Sequence, residues 1–236
     1  MPEDRQRTDA VRAAPNLLRP LAHPTLIASV SGCMIVIVIA FGFLVSAGPS
    51  SDSWELSFLQ FLSSNHTSFA SAVSLGIAWL FSPPIAITLS LIAGALVALV
   101  TRSPGRTATF LLMIAAVWAG SEVIKWLVHR ARPDGALLAD PLALEHGFSY
   151  PSGHTCFTAA LALAVIFLAR DNRPRLVLLS VIGALATVLV AFSRMYLGVH
   201  YPTDVMAAIV YSAAAAALFL VIWLGMLLPR IPWLRT

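Results

Sequence analysis

Long apolar runs, each near the length that crosses a bilayer, constrain this chain more than any other feature of its sequence. About 20 apolar residues in a helix span the hydrocarbon core. Because a backbone in lipid must satisfy its own hydrogen bonds, such runs predict helices. The runs lie at about 25–47, 84–101, 107–128, 154–170, 175–193 and 204–228. We therefore expect an all-α polytopic membrane protein, built as a six-transmembrane-helix bundle with an additional interfacial helical segment.

Charged residues are scarce, and their distribution predicts an orientation. Only 11% of the 236 residues are charged, against about 25% in soluble domains. The two tails and the loops after the second and fourth predicted spans carry most of the arginines, which predicts that these regions are cytoplasmic. The net charge of +4 is scattered over short loops rather than along one polar face, so nucleic acid binding is not expected.

The chain is expected to form one membrane domain with short tails. The predicted parts are a cytoplasmic N-terminal tail at 1–24, a six-span domain at 25–228 and a cytoplasmic C-terminal tail at 229–236. Residues 48–83 are predicted to form extracytoplasmic or interfacial helices. A seventh span at 66–83 would place the N-terminal tail opposite the other arginine-rich regions. The six-span model is preferred for that reason, although the sequence leaves open whether 66–83 inserts.

Three polar segments interrupt the apolar pattern at the ends of predicted spans. They are Lys125–Pro133, Pro151–His154 and Ser193–Asp204. In the six-span topology all three reach the extracytoplasmic face. A charged side chain inside a span costs about 2.5–3.5 kcal/mol on insertion scales, so several at one depth need a joint explanation. Their cations, two histidines and one carboxylate predict an anion site with a nucleophile beside it.

The spacing within these segments resembles a known signature. The first segment reads Lys, six residues, Arg-Pro; the second reads Pro-Ser-Gly-His; the third reads Ser-Arg, five residues, His, three residues, Asp. Together they resemble the tripartite signature of the type 2 phosphatidic acid phosphatase superfamily, with no departure at a signature position. The resemblance implies a membrane enzyme that cleaves phosphate esters. The segments contain no clustered carboxylates, so we expect catalysis without a metal or other cofactor.

The histidines are the predicted catalytic groups. A neutral ring nitrogen of His200 can attack phosphorus and form a phosphohistidine. If Pro202 opens a helix, Asp204 lies in its first turn and can accept the other ring N–H of His200, a pairing that the resemblance also implies. His154 is the expected general acid for the leaving group and the base for water.

Phosphate binding is assigned to the remaining motif residues. Lys125, Arg132 and Arg194 are expected to bind the phosphoryl oxygens, since guanidinium groups make paired bonds to phosphate. Ser152 and Gly153 begin the fourth predicted span, where backbone N–H groups at a helix N-terminus favour an anion. A plainer interpretation is that Lys125 only neutralises Glu122, one turn away.

The functional expectation is a lipid phosphatase of the bacterial inner membrane with a periplasmic active site. The resemblance makes phosphatidylglycerol phosphate, phosphatidic acid and undecaprenyl diphosphate the leading substrates. The partners expected are this lipid and the bilayer, with no obligate protein partner. Two alternatives stay open at this point, a lipid phosphotransferase that uses the same intermediate and a non-enzymatic lipid-binding protein.

Overall fold

The structure is a computed structural model that describes residues 18–48 and 53–234. The helices are α1 (Pro24–Ala47), α2 (Trp54–Ser64), α3 (Ser68–Leu80), α4 (Pro83–Thr101), α5 (Pro104–Val128), α6 (Gly153–Leu168), α7 (Arg173–Tyr196) and α8 (Pro202–Ile222). Short helical turns occupy Gly135–Leu137, Trp223–Leu227, Leu228–Arg230 and Pro232–Leu234. Helices are the only regular secondary structure in the described ranges, which confirms the all-α prediction.

Five helices are long and apolar enough to cross a membrane. They are α1, α4, α5, α7 and α8, the last with its continuation to Arg230. Helix α6, predicted as the fourth span, has only 16 residues. At 1.5 Å per residue it is about 24 Å long, shorter than the hydrocarbon core of about 30 Å. The sixth span therefore stays a prediction, and it depends on α6.

Helix α6 lies at the centre of the bundle, which explains why it can be short. It packs against α5, α7 and α8, and none of its residues is exposed. Small residues such as Ala160 and Ala164 are buried along it and let the neighbouring helices approach closely. The longer helices around α6 therefore provide most of the lipid-facing surface.

Helices α2 and α3 form a hairpin at the end of the bundle where the motif segments lie. Ser53 and Thr67 cap them, each side chain accepting an N–H of the first helical turn. The turn between them binds the end of α7: His66 Nε2 lies 2.9 Å from the Tyr196 carbonyl, and the Thr67 N–H donates to the Tyr196 hydroxyl at 2.8 Å. The hairpin is thus fixed beside the motif segments.

The arginine-bearing segments meet at the opposite end of the bundle. Leu18 and Leu234 both lie against Gly105, just after α4. A guanidinium N–H of Arg170 donates to the Arg19 carbonyl at 3.3 Å. The regions predicted to share the cytoplasmic side therefore share one end of the molecule, although Arg5, Arg7, Arg12 and Arg235 lie outside the described residues.

Candidate active site

The three motif segments converge at one end of α5, α6, α7 and α8. The Ser152 N–H, at the start of α6, donates to the backbone carbonyl of Asp204 in α8 at 3.2 Å. The guanidinium group of Arg132, in the segment after α5, donates to the Val199 carbonyl at 2.8 Å. Gly198 adopts a φ of 71° in the turn that leads to His200, a backbone conformation that favours glycine. The convergence expected from the sequence is therefore present.

A cavity of about 450 Å³ lies where these segments meet. Five of the predicted site residues line it: Lys125, Arg132, Gly153, His154 and His200. Two carboxylates, Glu122 and Glu145, also line it. Its remaining wall comes from the end of α3, the start of α4 and one residue of α5, namely Ala78, Phe81, Ser82, Pro83 and Trp118. The cavity lining therefore combines charged groups with apolar side chains.

The hydrogen bonds of His200 define which ring nitrogen carries the lone pair. An Arg132 guanidinium nitrogen lies 3.1 Å from Nε2, and arginine can only donate, so Nε2 is the unprotonated nitrogen and its lone pair is directed at Arg132. Nδ1 faces Asp204 Oδ2 at 3.4 Å, and a carboxylate accepts the Nδ1–H. This is the tautomer needed for attack by Nε2.

Electrostatics keep the His200 ring neutral. The side chain is 1% exposed, and burial, followed by the charges of Arg132 and Arg194, holds the pKa of His200 well below its ordinary value of 6.5. Burial disfavours the imidazolium and adjacent cations repel it. A neutral imidazole at physiological pH can act as a nucleophile.

Two arginines, one fully buried and one partly buried, share a carboxylate that lines the cavity. Arg194, in the last turn of α7, is fully buried and bonds to Glu145, and Arg132 lies 3.1 Å from the same carboxylate. Burial raises the pKa of Glu145, but the charges of Arg194 and Arg132 outweigh it, and that pKa is lowered to about 2. Glu145 is therefore an anion bound where the sequence predicts phosphate.

Both guanidinium groups keep further donors beyond those bonds. The Nε of Arg132, and the Nε and Nη1 of Arg194, are buried and find no acceptor among the described residues. Buried donors without an acceptor are costly. Arg132 lines the cavity, whereas Arg194 lies behind Glu145 and does not line it. The three unpaired donor nitrogens of the two arginines that bind Glu145 suit an anion with several oxygens, as phosphate has.

Lys125 forms the neutralising pair with Glu122, and its place at the cavity leaves phosphate binding as a prediction. Its Nζ lies 2.8 Å from Glu122 Oε1, so the neutralising pair exists, and it also lines the cavity. A Cβ on Gly153 would lie 3.0 Å from that Nζ and 3.2 Å from Glu122. Glycine at 153 therefore lets the start of α6 approach the pair closely.

The prediction for the Ser152 backbone is wrong. Its N–H was expected to point at the anion from the start of α6, but it donates to the Asp204 carbonyl. The Ser152 hydroxyl accepts a bond from Thr155 at 3.1 Å, and the residue is fully buried. Ser152 joins α6 to α8, while Gly153 remains on the cavity wall.

His154 faces the same cavity from the first turn of α6. Its Nε2 donates to the Ala78 carbonyl of α3 at 3.3 Å, since a carbonyl only accepts. The hairpin therefore helps to hold this ring. His129, by contrast, packs against Phe148 and Trp126 with ring centroids 4.4 and 6.2 Å away, and it does not line the cavity.

Comparison with known proteins assigns the chain to a family. A model of the PAP2 superfamily matches residues 106–226, just over half of the chain and the whole region that carries the three motif segments. The chain belongs to the PAP2 superfamily. The resemblance inferred from the sequence is thereby confirmed.

Relatives within the PAP2 superfamily align with part of the chain. Phosphatidylglycerophosphatase B of Bacillus subtilis is 37% identical over 90 residues, which cover 36% of this chain and 42% of that protein. Undecaprenyl-diphosphatase of Sulfolobus acidocaldarius is 32% identical over 111 residues, which cover 45% of this chain and 49% of that protein. The chain thus aligns with less than half the length of these curated relatives.

A solved PAP2 structure shares the fold. The crystal structure of the first transmembrane PAP2 type phosphatidylglycerolphosphate phosphatase, from Bacillus subtilis, superposes with a TM-score of 0.66 at 23% sequence identity. The match covers 89% of this chain and 98% of that one. The helical arrangement described above is therefore a PAP2 arrangement over most of its length.

Three charged residues of this PAP2 site were not assigned from the sequence: Glu145, Arg130 and Glu55. Glu145 lies nine residues before His154 in a loop without periodicity, and only the scarcity of acids near the motifs could have marked it. Arg130 lies in the variable stretch of the first motif. Glu55 belongs to α2, far from every motif in sequence. All three bind motif residues or their neighbours.

Metal ligands are not evident in the part of the chain that the structure describes. No group of three or more His, Cys, Asp or Glu side chains there could hold a metal ion. The acids at the cavity instead pair with cations: Glu145 with two arginines and Glu122 with Lys125. Metal-independent catalysis remains the expectation drawn from the sequence.

Proposed function

We propose that this PAP2 superfamily member is an integral membrane lipid phosphatase that works through a phosphohistidine on His200. One observation carries the proposal: the unprotonated Nε2 of a neutral histidine lies 3.1 Å from a nitrogen of Arg132, and the buried Nε of the same guanidinium has no acceptor among the described residues. Such a pair can bind a phosphoryl group and attack it. The names of the relatives, all of which describe lipid phosphatases, support the same chemistry.

The first step transfers the phosphoryl group to the enzyme. Nε2 of His200 attacks phosphorus, the bond from phosphorus to the lipid oxygen breaks, and the protonated His154 ring donates its proton to that oxygen. A phosphate dianion beside His154 favours the protonated ring. The phosphorylated ring keeps its Nδ1–H and gains a positive charge, which Asp204 stabilises.

The second step returns the enzyme to its starting state. Neutral His154 takes a proton from water, the water oxygen bonds to phosphorus, and the electron pair of the breaking P–N bond returns to Nε2. Lys125, Arg132 and Arg194 stabilise charge on the equatorial oxygens in both steps. The products are the dephosphorylated lipid and inorganic phosphate.

The cavity wall supports a lipid substrate. Phe81 and Pro83, where α3 leads into α4, and Trp118 on α5 add apolar side chains to the cavity lining. An acyl or prenyl chain next to the phosphate would contact these side chains and continue between the helices into the bilayer. We propose phosphatidylglycerol phosphate, phosphatidic acid and undecaprenyl diphosphate as candidates, cleaved on the periplasmic side of a bacterial inner membrane.

The experiment is phosphate release by the purified protein in detergent from a panel of these three lipids, with EDTA present in a parallel series. We expect turnover of at least one lipid, without loss in EDTA, and loss of turnover in His200→Ala. His146→Ala is the matched control, because this histidine lies in the neighbouring loop but does not line the cavity.

The outcomes separate the proposed activity from its alternatives. Release of inorganic phosphate without an added acceptor supports hydrolysis. Release only when a second lipid or sugar accepts the phosphate would indicate a phosphotransferase instead. Equal rates for wild type and His200→Ala would contradict the assignment of the nucleophile. Lipid binding without any turnover would indicate a non-enzymatic lipid-binding protein.

A further inference from the structure

A buried cluster of three charges lies behind the nucleophile. Arg130 donates to Asp204 Oδ1 at 2.6 Å and to Glu55 Oε2 at 2.6 Å. All three side chains are 7% exposed or less. The Arg130 guanidinium also lies 4.2 Å over the Tyr201 ring. Arg130 thus bridges helix α2 of the hairpin and the start of α8.

The two oxygens of Asp204 have separate partners. Oδ1 accepts from Arg130, whereas Oδ2 faces His200 Nδ1 and also accepts the Tyr201 N–H at 2.9 Å. A carboxylate bound on one oxygen only can rotate about its terminal torsion, which is soft for Asp. The bond from Arg130, together with one from the Ser149 side chain, restrains that torsion and so directs Oδ2 at the imidazole.

Glu55 holds the other side of the same cluster. Its Oε1 accepts the N–H of Thr203 at 3.0 Å and the Thr203 hydroxyl at 2.6 Å. The Arg130 guanidinium donates to that hydroxyl as well, at 2.7 Å. Glu55 therefore binds the first turn of α8, where a carboxylate is favoured, and fixes the backbone that carries Asp204.

From these contacts we propose that Arg130 and Glu55 are positioning residues for catalysis, which act on His200 through Asp204. The inference rests on the proposed function, since it assigns a role within that reaction. It makes the α2–α3 hairpin part of the catalytic apparatus, because Glu55 belongs to α2.

Charge balance gives the cluster a role during the reaction. Glu55, Arg130 and Asp204 together carry one net negative charge when all are ionised. The imidazole ring of the phosphorylated His200 carries a positive charge, which balances that net negative charge, while the phosphoryl oxygens carry negative charge of their own. Arg130 favours the ionised form of the buried Asp204 side chain. Glu55 offsets the repulsion that the charge of Arg130 alone would exert on the positively charged His200 ring.

Arg130 is not placed to bind the phosphate itself. It does not line the cavity that holds His154 and His200; it lines a second cavity of about 210 Å³ together with Glu55, Ala131 and Tyr201. Its contacts lie on the Nδ1 side of the His200 ring, opposite the nucleophilic Nε2. Removing it should therefore impair the chemical step rather than substrate binding.

The test is a double-mutant cycle between Arg130→Gln and Asp204→Asn, with steady-state kinetics on the lipid that the wild type hydrolyses. If Arg130 acts through Asp204, Arg130→Gln lowers kcat about 10–100-fold, the usual range for partners that orient a histidine, and leaves KM within about twofold. Arg130→Gln then causes no further loss of kcat when it is combined with Asp204→Asn. Glu55→Gln is also expected to lower kcat.

Asp140→Asn is the matched control. Asp140 pairs with His66 of the same hairpin at 3.0 Å but has no contact with the catalytic groups, and its side chain is 56% exposed. The control should keep the wild-type kcat. If Arg130→Gln fails to fold, Arg130→Lys replaces it, because lysine keeps the charge but lacks the fork that binds both carboxylates; it should also lose kcat with KM preserved.

Two results would overturn the inference. One is a wild-type kcat in Arg130→Gln or Arg130→Lys. The other is a loss from Arg130→Gln that multiplies with that of Asp204→Asn, since this would show a role independent of Asp204. Wild-type protein that releases no phosphate from any lipid would instead remove the proposed function, and this inference with it.

Discussion

Protonation of the His200 ring decides whether its Nε2 can attack phosphorus. Burial, then Arg132 and Arg194, lower the pKa of His200 well below 6.5. A lowered pKa keeps the ring neutral as the pH falls, so kcat/KM should hold on the acid side until the pH is well below 6.5. The nucleophile is thus prepared by its surroundings rather than by a separate base.

Replacing Arg132 should move the acid limb of the pH profile. Arg132→Gln removes a cation that repels the imidazolium, so the pKa of His200 rises and kcat/KM begins to fall at a higher pH. Arg132→Lys keeps the charge and should leave the limb near its wild-type position. The measurement is kcat/KM against pH, and an unmoved limb in Arg132→Gln would contradict the electrostatic account.

Glu145 should compete with phosphate for Arg132 and Arg194. Its carboxylate binds Arg132 and Arg194, so an incoming phosphate must displace it or share its donors. Glu145→Gln should strengthen inhibition by vanadate, a phosphate analogue, by about tenfold, or about 1.4 kcal/mol.

The control for Glu145 is Asp140→Asn, which removes a carboxylate from the same loop without touching either arginine. Vanadate inhibition constants measured for both variants decide the matter. If vanadate inhibits Glu145→Gln no more strongly than it inhibits the wild type, Glu145 does not compete with the anion for the two arginines.

At the level of residues, the sequence predicts the motif side chains well because their spacing is local. Lys125, Arg132, His154 and His200 share one cavity as expected. The backbone role given to Ser152 was wrong, since that N–H binds across to α8. Glu55 and Glu145 could not be placed, because long-range packing alone brings them to the motifs.

Helix α5 and the turn after α8 are joined by a buried polar contact. The Trp223 indole N–H donates to the Thr109 hydroxyl at 2.8 Å, and Thr109 is fully buried. Thr109→Val keeps the shape but leaves the indole N–H without an acceptor, which should cost about 1–3 kcal/mol. A fall of several degrees in melting temperature in detergent is the expected result.

Thr88→Val is the matched control for Thr109→Val. Its hydroxyl binds only within α4, to the Pro84 carbonyl at 2.9 Å, and the residue is exposed. Its substitution should change stability by less than about 0.5 kcal/mol. Equal melting temperatures for the two variants would show that the contact between α5 and Trp223 adds nothing.

Helix boundaries were predictable to within a few residues because proline and serine mark the starts. Helices α4, α5, α7 and α8 each begin with proline in the first turn, where its fixed φ is favoured. The span count was harder to predict, since hydropathy cannot distinguish a short central helix such as α6 from a full span. Its burial depends on the helices around it.

Over the whole molecule, the motif residues and the arginine-rich segments occupy opposite ends. Because positive loops stay cytoplasmic, we expect the site to face the periplasm. Single cysteines at two positions test this orientation. Leu144 lies near the site and is 81% exposed, and Arg173 is exposed at the other end of the molecule. The single cysteines are introduced after replacing Cys33 and Cys156.

In intact cells, a membrane-impermeant maleimide should label Leu144→Cys but not Arg173→Cys. Labelling of Arg173→Cys should appear only after the membrane is permeabilised. The reverse pattern would place the site on the cytoplasmic side and refute the orientation inferred from charge.

Trapping the covalent intermediate is the most direct test of the account. The purified protein would be mixed with a ³²P-labelled lipid phosphate and quenched in alkali, where phosphohistidine survives, before peptide mapping. The account predicts transient label on the peptide that contains His200, absent from His200→Ala and released by acid. Hydrolysis of the lipid by wild type with no label on that peptide at any time would contradict it.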